Sequence, residues 1–559
     1  MVQRAAQADI LPQWTRRVMT DLGGRDPLGL SRVAQLLTDH LLPGIITTTD
    51  RARYYALYCW ILWHIQREER PDRWETFVSA FQRREAAVAM ATLIMDENAS
   101  PVGKRAASRQ LAQGRQQGKV NTAFQVLPAN PRGGFGQYYA GCLSQLGLTH
   151  HLDDGIDRAT EGMAEQLAHM VHRNLAQTPY LRSRWFEQST VSLKALEQSS
   201  ERLGLDAIMQ SFAGDERRLL VDLFFGFHEE IPNEATLLRR NSLARLLAIV
   251  TAHERAGITV EEESLEAQLV YGPTYFGVLV DARNRAKPFT VPASLQRCSD
   301  FWRQFSLHQF LTQALEGLLV AVLQIIGGRP GGSPLDSTMG DLLEGRFIGY
   351  LERAVRVRCR KPYELLGGLR IAKVPNEAIS LRLRDRYACD HALSEWVCED
   401  DVATPAELAA RSCLLLAILY GKWRGIVSDV TYAAVAERTG SELAAPTLLP
   451  LLDSWLEAGR SWDAALCDLI LLIIRQHDRV MYGKGRLESC WLHIEDGRYV
   501  CDQDYVPYFR SSRHKQAVEI LVDIGLLKWT STRSDRGSRR LTITVQGRRV
   551  LARVLSEGI

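Results

Sequence analysis

The chain has 559 residues, of which 46% are hydrophobic and 24% charged, the composition of an ordinary soluble globular protein. Its length predicts several domains or subdomains, each with enough apolar residues for its own core. The ten cysteines include no CxxC pair, which favours a reducing cytoplasm over a disulfide framework. The charged N-terminus shows no signal peptide and the longest apolar runs are too short to span a membrane. We therefore expect a cytoplasmic protein with no membrane segment.

The formal net charge is only +3, but the positive charge is concentrated in three segments. Residues 104–132 carry +6, residues 346–386 carry +7 and residues 507–553 carry +8, so the rest of the chain carries −18. Basic segments on an acidic body are typical of a phosphate-binding surface. Pairing of the same charges with acidic faces of other helices, or of a partner protein, is the alternative.

Residues 1–98 are expected to form an N-terminal helical domain. Thr48 or Thr49 can cap a helix that extends to about Arg70 and contains the aromatic stretch YYALYCWILW. An aromatic platform that stacks nucleic-acid bases is one interpretation of this stretch. Because the helix has almost no polar face, we favour a helix in the core of the domain instead.

Residues 99–136 contain no acidic side chain, many Gln and Gly residues, and basic residues spaced along the segment. We interpret this segment as a basic, loop-rich insertion, with Lys104, Arg105 and Arg109 as candidate DNA contacts. An exposed loop that binds nothing is the alternative.

Residues 137–270 are expected to form a helical domain that includes a helix–hairpin–helix element. The first helix ends at Leu146-Gly147-Leu148, a short hairpin follows, and Thr160 and Gly162 precede the second helix. The hairpin is acidic, so it should avoid phosphate and pack against protein.

Residues 271–335 are predicted to form a linker and a long central helix, and residues 336–480 a helical domain with a basic segment. In that segment Arg356, Arg358 and Arg360 share one side if the chain is extended. With Lys361 they form a second set of candidate DNA contacts. A helical conformation would instead distribute them around the surface.

Residues 481–559 are predicted to begin with a hairpin that turns at Asp496-Gly497. From Ser511 to Leu555 the pattern is helix, strand, basic hairpin, strand and helix, with Ser511 or Ser512 as the helix cap and Gly525 in a left-handed turn at its end. This segment resembles the recognition helix, wing and following helix of MarR-like winged helix-turn-helix regulators. The resemblance covers about 45 residues.

The resemblance implies two groups of DNA contacts. The start of the helix would face a groove with Ser512, Arg513, Lys515 and Gln516. The wing would lie beside the phosphates with Arg533, Arg536, Arg539 and Arg540. A winged helix also needs two helices before its recognition helix, whereas a hairpin and a short VPYF segment precede this one. The element within residues 135–175 would be a shorter, degenerate copy.

Sequence motifs for catalysis are absent. The chain has no P-loop, GxSxG or HExxH motif, and none of its ten lysines follows an acidic residue by two positions, as in the usual half-motif of a nuclease core. The His and Cys clusters Cys389/His391/Cys398 and Cys490/His493/Cys501 lack the short spacing of zinc ligands. We therefore assign no catalytic residue, metal ligand or cofactor.

The expected fold class is mainly α, a multi-domain helical protein with a C-terminal winged-helix-like α+β segment. The stretches LLPGIITTTDRARYYALYCW and FWRQFSLHQFLTQALEGLL, together with the C-terminal segment, resemble uncharacterised bacterial proteins of mobile-element and anti-phage defence loci.

The leading hypothesis for function is a non-catalytic DNA-binding or scaffold subunit of a bacterial multiprotein complex, in defence against foreign DNA. Its expected partners are double-stranded DNA and other protein subunits, such as an ATPase or a nuclease. A kleisin-like interaction subunit of an SMC-type ATPase complex is one alternative. An effector nuclease with an unrecognised site is another.

Overall fold

A computed structural model describes residues 25–152, 154–281, 286–369, 390–398, 404–423, 430–484, 491–501, 505–531 and 539–557. The chain divides into two compact units, and each is built from two separate stretches of sequence. Unit 1 contains Met1–Leu37 and Arg303–Arg510, and unit 2 contains Thr38–Trp302 and Ser511–Ile559. The six consecutive segments expected from the sequence stay a prediction.

The described residues are mainly helical, as the sequence predicts. In chain order the helices are α1 (Leu30–Leu41), α2 (Arg53–Glu68), α3 (Trp74–Met95), α4 (Lys104–Gln117), α5 (Ala140–Gln145), α6 (Met163–Leu175), α7 (Pro179–Arg182), α8 (Leu193–Leu203), α9 (Gly214–Phe225), α10 (Glu234–Ala256), α11 (Gln296–Gly327), α12 (Leu335–Leu342), α13 (Ile348–Val355), α14 (Pro362–Gly368), α15 (Asp390–Cys398), α16 (Pro405–Trp423), α17 (Val430–Thr439), α18 (Ala445–Glu457), α19 (Trp462–Gly483), α20 (His514–Asp523) and α21 (Val545–Glu557). Wider π-helical turns occupy Phe135–Tyr139, Glu266–Phe276 and Leu343–Phe347.

The strands are short and pair antiparallel. They are β1 (Lys119–Asn121), β2 (Thr149–His151), β3 (Asp157–Ala159), β4 (Thr190–Ser192), β5 (Val260–Glu261), β6 (Val278–Val280), β7 (Ala286–Pro288), β8 (Leu492–Glu495), β9 (Arg498–Cys501), β10 (Leu527–Ser531) and β11 (Arg539–Ile543). Among the described residues the pairs are β1–β4, β2–β3, β6–β7 and β8–β9, and one three-stranded sheet has the order β10–β11–β5.

Helix α2 forms part of the core of unit 2. Tyr55, Tyr58 and Trp60 have no exposed surface, and the rings of Tyr54 and Tyr58 stack with centroids 5.2 Å apart. The buried Arg53 guanidinium pairs with the equally buried Glu216 carboxylate, with 3.1 Å between Nε and Oε1. The prediction of a core helix is confirmed, and these rings have no free face on which a base could stack.

The three-stranded sheet of unit 2 joins distant parts of the chain. In β10 and β11, Leu527 lies opposite Ile543, and in β11 and β5, Leu541 lies opposite Val260. Helix α10 packs against β11 and against α21, and the π-helical turn 266–276 packs against α10 and α20. The C-terminal segment therefore folds together with residues 234–276, which the sequence does not indicate.

The ends of α20 agree only in part with the prediction. Gly525 has a φ of +77°, and the Leu526 N–H donates to the Leu521 carbonyl over 2.8 Å, so the left-handed end is confirmed. At the other end, neither Ser511 nor Ser512 caps the helix. Arg513 holds the cap position with a φ of +59° and makes no side-chain cap bond.

Residues 99–136 also differ from the expected loop-rich insertion, because they contain α4 and β1. Gly103 and Gly118, both in left-handed conformation, begin and end α4. A Cβ on Gly114 would lie 2.3 Å from Val120 Cγ1, so glycine is required where β1 folds back onto the helix. The local sequence is rich in Gln, Ala and Arg, which favour helix.

Unit 1 contains the predicted helices of residues 404–480 as α16 to α19, and the predicted hairpin as β8 and β9. Asp496 and Gly497 have φ values of +46° and +76°, as a type I′ hairpin turn requires. The Arg510 guanidinium pairs with the buried Glu316 carboxylate of α11 over 2.5 Å, and the Tyr505 hydroxyl donates to the same carboxylate over 2.8 Å.

The segment Ala293–Gly327, which includes α11, is long and apolar enough to cross a membrane, by length and composition only. Within the structure, 83% of its apolar window is buried. Core helices of globular proteins pass the same test, so this helix is weak evidence for a membrane segment.

Candidate nucleic-acid interface

The basic segment around α4 exposes several cations. Ala107, Leu111 and Gly114 are buried, with the spacing of one helical face. Arg105 and Arg109 lie on the opposite, exposed side of α4. Two more cations, Arg115 near the end of α4 and Lys119 in β1, are also exposed. We call Arg105, Arg109, Arg115 and Lys119 together the α4 surface.

The α4 surface has no acidic partner among the residues that the structure describes. The sequence has no Asp or Glu between residues 98 and 152. None of the four cations forms an ion pair with another residue that the structure describes. Lys104, by contrast, is half-buried and its ammonium donates to the Asn98 carbonyl over 2.9 Å. Arg132, in the same basic segment, pairs with Asp157 over 2.8 Å.

The second basic segment, in unit 1, is a turn and not a strand. Arg356 ends α13 with a φ of +57°, and Arg356, Arg358 and Arg360 are exposed. Cys359 between them is buried, and its carbonyl accepts a hydrogen bond from the Trp462 indole over 2.7 Å. Lys361 is exposed too, with its ammonium 5.8 Å from the Tyr363 ring centre. The extended conformation considered from the sequence is therefore replaced by a turn that still leaves all four cations in solvent.

Two residues expected to face a DNA groove are buried instead. Ser512 has no exposed surface, and its hydroxyl donates to Glu266 Oε1 over 2.6 Å. The Arg513 side chain is 5% exposed, pairs with Asp39 over 2.6 Å and donates to the Ile45 carbonyl over 2.9 Å. Burial raises the pKa of the Glu266 carboxyl to about 6. In this structure Ser512 and Arg513 join parts of unit 2 and are closed to an outside ligand.

Residues 45–52 contact α20 near both of its ends. The Gln516 amide donates to the Thr47 carbonyl over 3.0 Å. Asp523, near the other end of α20, accepts hydrogen bonds from the Ala52 N–H over 2.9 Å and from Arg51 Nε over 3.1 Å. Of the predicted groove-facing residues, Lys515 is the one that is exposed.

The wing cations are less available than the sequence suggests. Arg539 donates from Nε to Glu262 Oε2 over 2.7 Å and forms a second bond to the same carboxylate. This pairing lowers the pKa of the Glu262 carboxyl. The Arg539 guanidinium also lies 4.9 Å from the centre of the Trp529 ring. Arg540, opposite Thr530 in the sheet, is half-buried. Arg533 and Arg536 lie outside the described residues.

Arg115 and Lys119 were not singled out as DNA contacts from the sequence. A loop has no helical face, so the predicted loop gives no reason to group these two cations with Arg105 and Arg109. The available signal was the helix-favouring composition between Gly103 and Gly118, together with the absence of acidic residues.

The described residues offer little for metal chemistry. Among them, no three His, Cys, Asp or Glu side chains lie close enough together to hold a metal ion. His477, which precedes Asp478 in the sequence, is buried, and its Nδ1 lies 3.0 Å from the Pro27 carbonyl oxygen.

Comparison of the chain with protein-family models, with curated proteins and with solved structures finds no match. Function must therefore be argued from the geometry of the molecule itself.

Proposed function

We propose that this chain is a non-catalytic subunit of a multiprotein complex that holds double-stranded DNA by its phosphates. The observation that carries the proposal is the α4 surface, where four exposed cations have no acidic partner among the described residues. A cation that is already paired gains little from a phosphate, because its carboxylate must be displaced first. An unpaired cation can bind phosphate directly and release the counterions of DNA.

The spacing of these cations suits a phosphate backbone and not a base sequence. Arg105 and Arg109 are one helical turn apart, about 6 Å. Arg115 lies about 15 Å from Arg105 along the helix axis. Contacts to phosphates position a protein on the duplex without reading its sequence. The expected binding is therefore tolerant of sequence and strongly dependent on salt.

The C-terminal element has a different place in this proposal. We propose that it is a winged helix assembled from two parts of the chain, with α10, β5 and the π-helical turn 266–276 supplying the helices and strand that α20, β10 and β11 lack. The strand order β10–β11–β5 and the packing of α10 against β11 and α21 support this. The second basic segment, Arg356 to Lys361, would add further phosphate contacts.

A protein-interaction subunit, such as a kleisin-like partner of an SMC-type ATPase, is the second candidate. The observation in its favour is the contact of residues 45–52 with both ends of α20, which covers part of the helix that would usually read a groove. A role in anti-phage defence and a cytoplasmic location stay predictions from the sequence.

A salt titration of duplex binding tests the proposal. The full chain is titrated with a random-sequence duplex, and the logarithm of the binding constant is plotted against that of the salt concentration. The R105A/R109A/R115A variant should weaken binding and reduce the slope by about 2 to 3, because each phosphate contact contributes about 0.9. R539A should change the slope by less than about 1, because Glu262 already neutralises that arginine.

The matched control is R173A/R297A/R548A. It also removes three exposed arginines of unit 2, but each of these has a carboxylate partner, namely Asp215, Glu234 and Glu254. The control should retain the slope of the original protein. If the two triple variants lose the same affinity, the α4 surface is not the DNA contact. If the original protein binds no duplex but binds an ATPase subunit, the second candidate replaces the first.

A further inference from the structure

A cavity of about 430 Å³ lies in unit 2, between the start of α9 and the turn that follows α20. Its apolar lining comes from Met209, Val221 and Ile524, and its polar lining from Arg217, Arg218 and Gln546. Cavities of a few hundred Å³ with an apolar wall and a few convergent polar groups are typical of small-molecule sites. Neither the DNA-binding proposal nor the sequence motifs account for this cavity.

Arg217 is held in place without being neutralised. Its Nη1 donates to the carbonyls of Ile208, over 2.7 Å, and Gln210, over 3.0 Å. Carbonyl groups fix the position of a guanidinium but leave it its full positive charge. No carboxylate of the described residues pairs with it. Its remaining N–H groups stay available, because a guanidinium has five.

Arg218 is only weakly paired. Its Nη2 lies 3.5 Å from Asp215 Oδ1, while Arg173 holds the other oxygen of that carboxylate over 2.6 Å. Asp222 also interacts with Arg218, and burial raises the pKa of the Asp222 carboxyl. Arg173 and Arg218 thus share the Asp215 carboxylate, and Arg217 has no carboxylate partner among the described residues, which leaves a positive potential at the cavity.

We propose that this cavity binds a small organic anion, with its carboxylate or phosphate group between Arg217 and Arg218 and its apolar part against Met209, Val221 and Ile524. The Gln546 amide would add one further hydrogen bond. Guanidinium groups suit both anionic groups because they donate two parallel N–H bonds. The apolar wall favours an organic anion over an inorganic one, because a bare phosphate would leave that surface in water.

Occupation of the cavity would connect two parts of unit 2. Arg217 and Arg218 belong to α9, whereas Ile524 and Gln546 flank the strands of the three-stranded sheet. A ligand that contacts both parts would raise the free energy of unfolding, because it binds the folded state alone. The increase grows with the ratio of ligand concentration to dissociation constant.

Calorimetric titration of the full chain tests the proposal with three probes: phenyl phosphate, benzoate and inorganic phosphate. We expect one of the two aromatic anions to bind at least 10-fold more tightly than inorganic phosphate, and the better one identifies the anionic group. The R217Q/R218Q variant should lose at least 10-fold in affinity for that probe. The control R255Q/R297Q removes the same number of exposed charges from unit 2 and should bind as the original does.

Two single changes keep the test decisive if the double variant fails to fold. D215N removes the competing carboxylate and should increase affinity for the anion several-fold. R218Q changes a side chain that is 70% exposed and should decrease affinity without unfolding the protein. The proposal is overturned if neither aromatic anion binds below millimolar concentration. Equal affinities of the original protein, R218Q and D215N would also overturn it.

Discussion

Unit 2 contains two helix–hairpin–helix elements whose backbones close in the same way. The first is α5, β2, β3 and α6, and the second is α20, β10, β11 and α21. In the first, Leu148 N–H donates to Leu143 over 2.8 Å, and Thr160 N–H donates to Leu148 over 3.0 Å. In the second, Leu526 N–H donates to Leu521 over 2.8 Å, and Thr544 N–H donates to Leu526 over 3.0 Å.

The same residue types serve the same purposes in both elements. Gly147 and Gly525 have φ values of +70° and +77° where the first helix ends. Thr160 donates from its hydroxyl to the Gly147 carbonyl over 2.6 Å, and Thr544 to the Gly525 carbonyl over 2.8 Å. The internal repeat suggested by the sequence thus has a structural counterpart in these turns.

The two hairpins differ in the parts of the chain that pack against them. The first hairpin has two strands, and its buried Asp157 binds Arg132 and His151. The second hairpin gains a third strand, β5, from a distant part of the chain. The comparison teaches that a short local motif can specify its own turn, whereas its role depends on what packs against it.

The largest expected effect concerns the buried carboxylate that holds the entry to the first element. Glu85 accepts hydrogen bonds from the Tyr58 hydroxyl, the Gly134 N–H and the Phe135 N–H, and burial raises the pKa of its carboxyl to about 7. Between pH 4.5 and 7 the unfolded chain loses this proton and the folded chain keeps it. The free energy of unfolding should therefore fall as pH rises through this window, by up to about 3 kcal/mol.

Urea unfolding of E85Q at several pH values checks this, because glutamine cannot ionise and the decline should disappear. The second element contains a buried carboxylate too, that of Asp523 in α20, which has Arg51 as a cationic partner. Burial raises the pKa of Asp523 to about 6, so the free energy of unfolding should also fall as pH rises to about 6, below the end of the Glu85 window at about pH 7. D523N should remove this second fall. An unchanged pH profile in E85Q would contradict the assignment of this carboxyl.

The second-largest expected effect is a loss of stability at one position where the two elements differ. A Cβ on Gly547 would lie 2.2 Å from the Leu526 carbonyl oxygen, so the backbone must shift. G547A should therefore lower the free energy of unfolding by about 2 kcal/mol. The position three residues after Thr160 is Met163, a side chain that the first element accommodates. M163A should lower the free energy of unfolding by less than about 1 kcal/mol. An equal loss in G547A and M163A would show that the two elements do not differ in packing at this position.

The smallest effect tests the shared hydroxyl contact. T544V removes a partly buried bond to Gly525 and the cap on the Gly547 N–H, and should cost about 1 kcal/mol. T160V removes a solvent-exposed bond to Gly147 and should cost about 0.5 kcal/mol. Thermal unfolding of both variants measures the difference. A larger loss in T160V than in T544V would reverse the comparison.

Local patterns predicted much of this fold. The hairpin at Asp496-Gly497, the glycine end of α20 and the helices of residues 404–480 follow from residues that are neighbours in sequence. Prediction failed at α4, where Gly and Gln residues suggested a loop and the two flanking glycines were in fact helix ends.

The candidate interface could be predicted only in part, because availability of a charge is a tertiary property. Arg105 and Arg109 were identified from charge alone and are exposed, whereas Arg513 was identified from the resemblance to a winged helix and is buried against Asp39. The sequence contains no signal for this difference, because Arg513 and Asp39 are 474 positions apart along the chain.

By itself the sequence determined a mainly helical protein, its turns, and three segments of excess positive charge. Tertiary structure alone decided that β5 completes the C-terminal sheet, that residues 45–52 contact both ends of α20, and that Glu262 neutralises Arg539. The physical reason is the distance along the chain between the residues that interact. Backbone conformation and capping depend on neighbours within a few residues, whereas burial and ion pairing depend on which distant segments the hydrophobic core brings together.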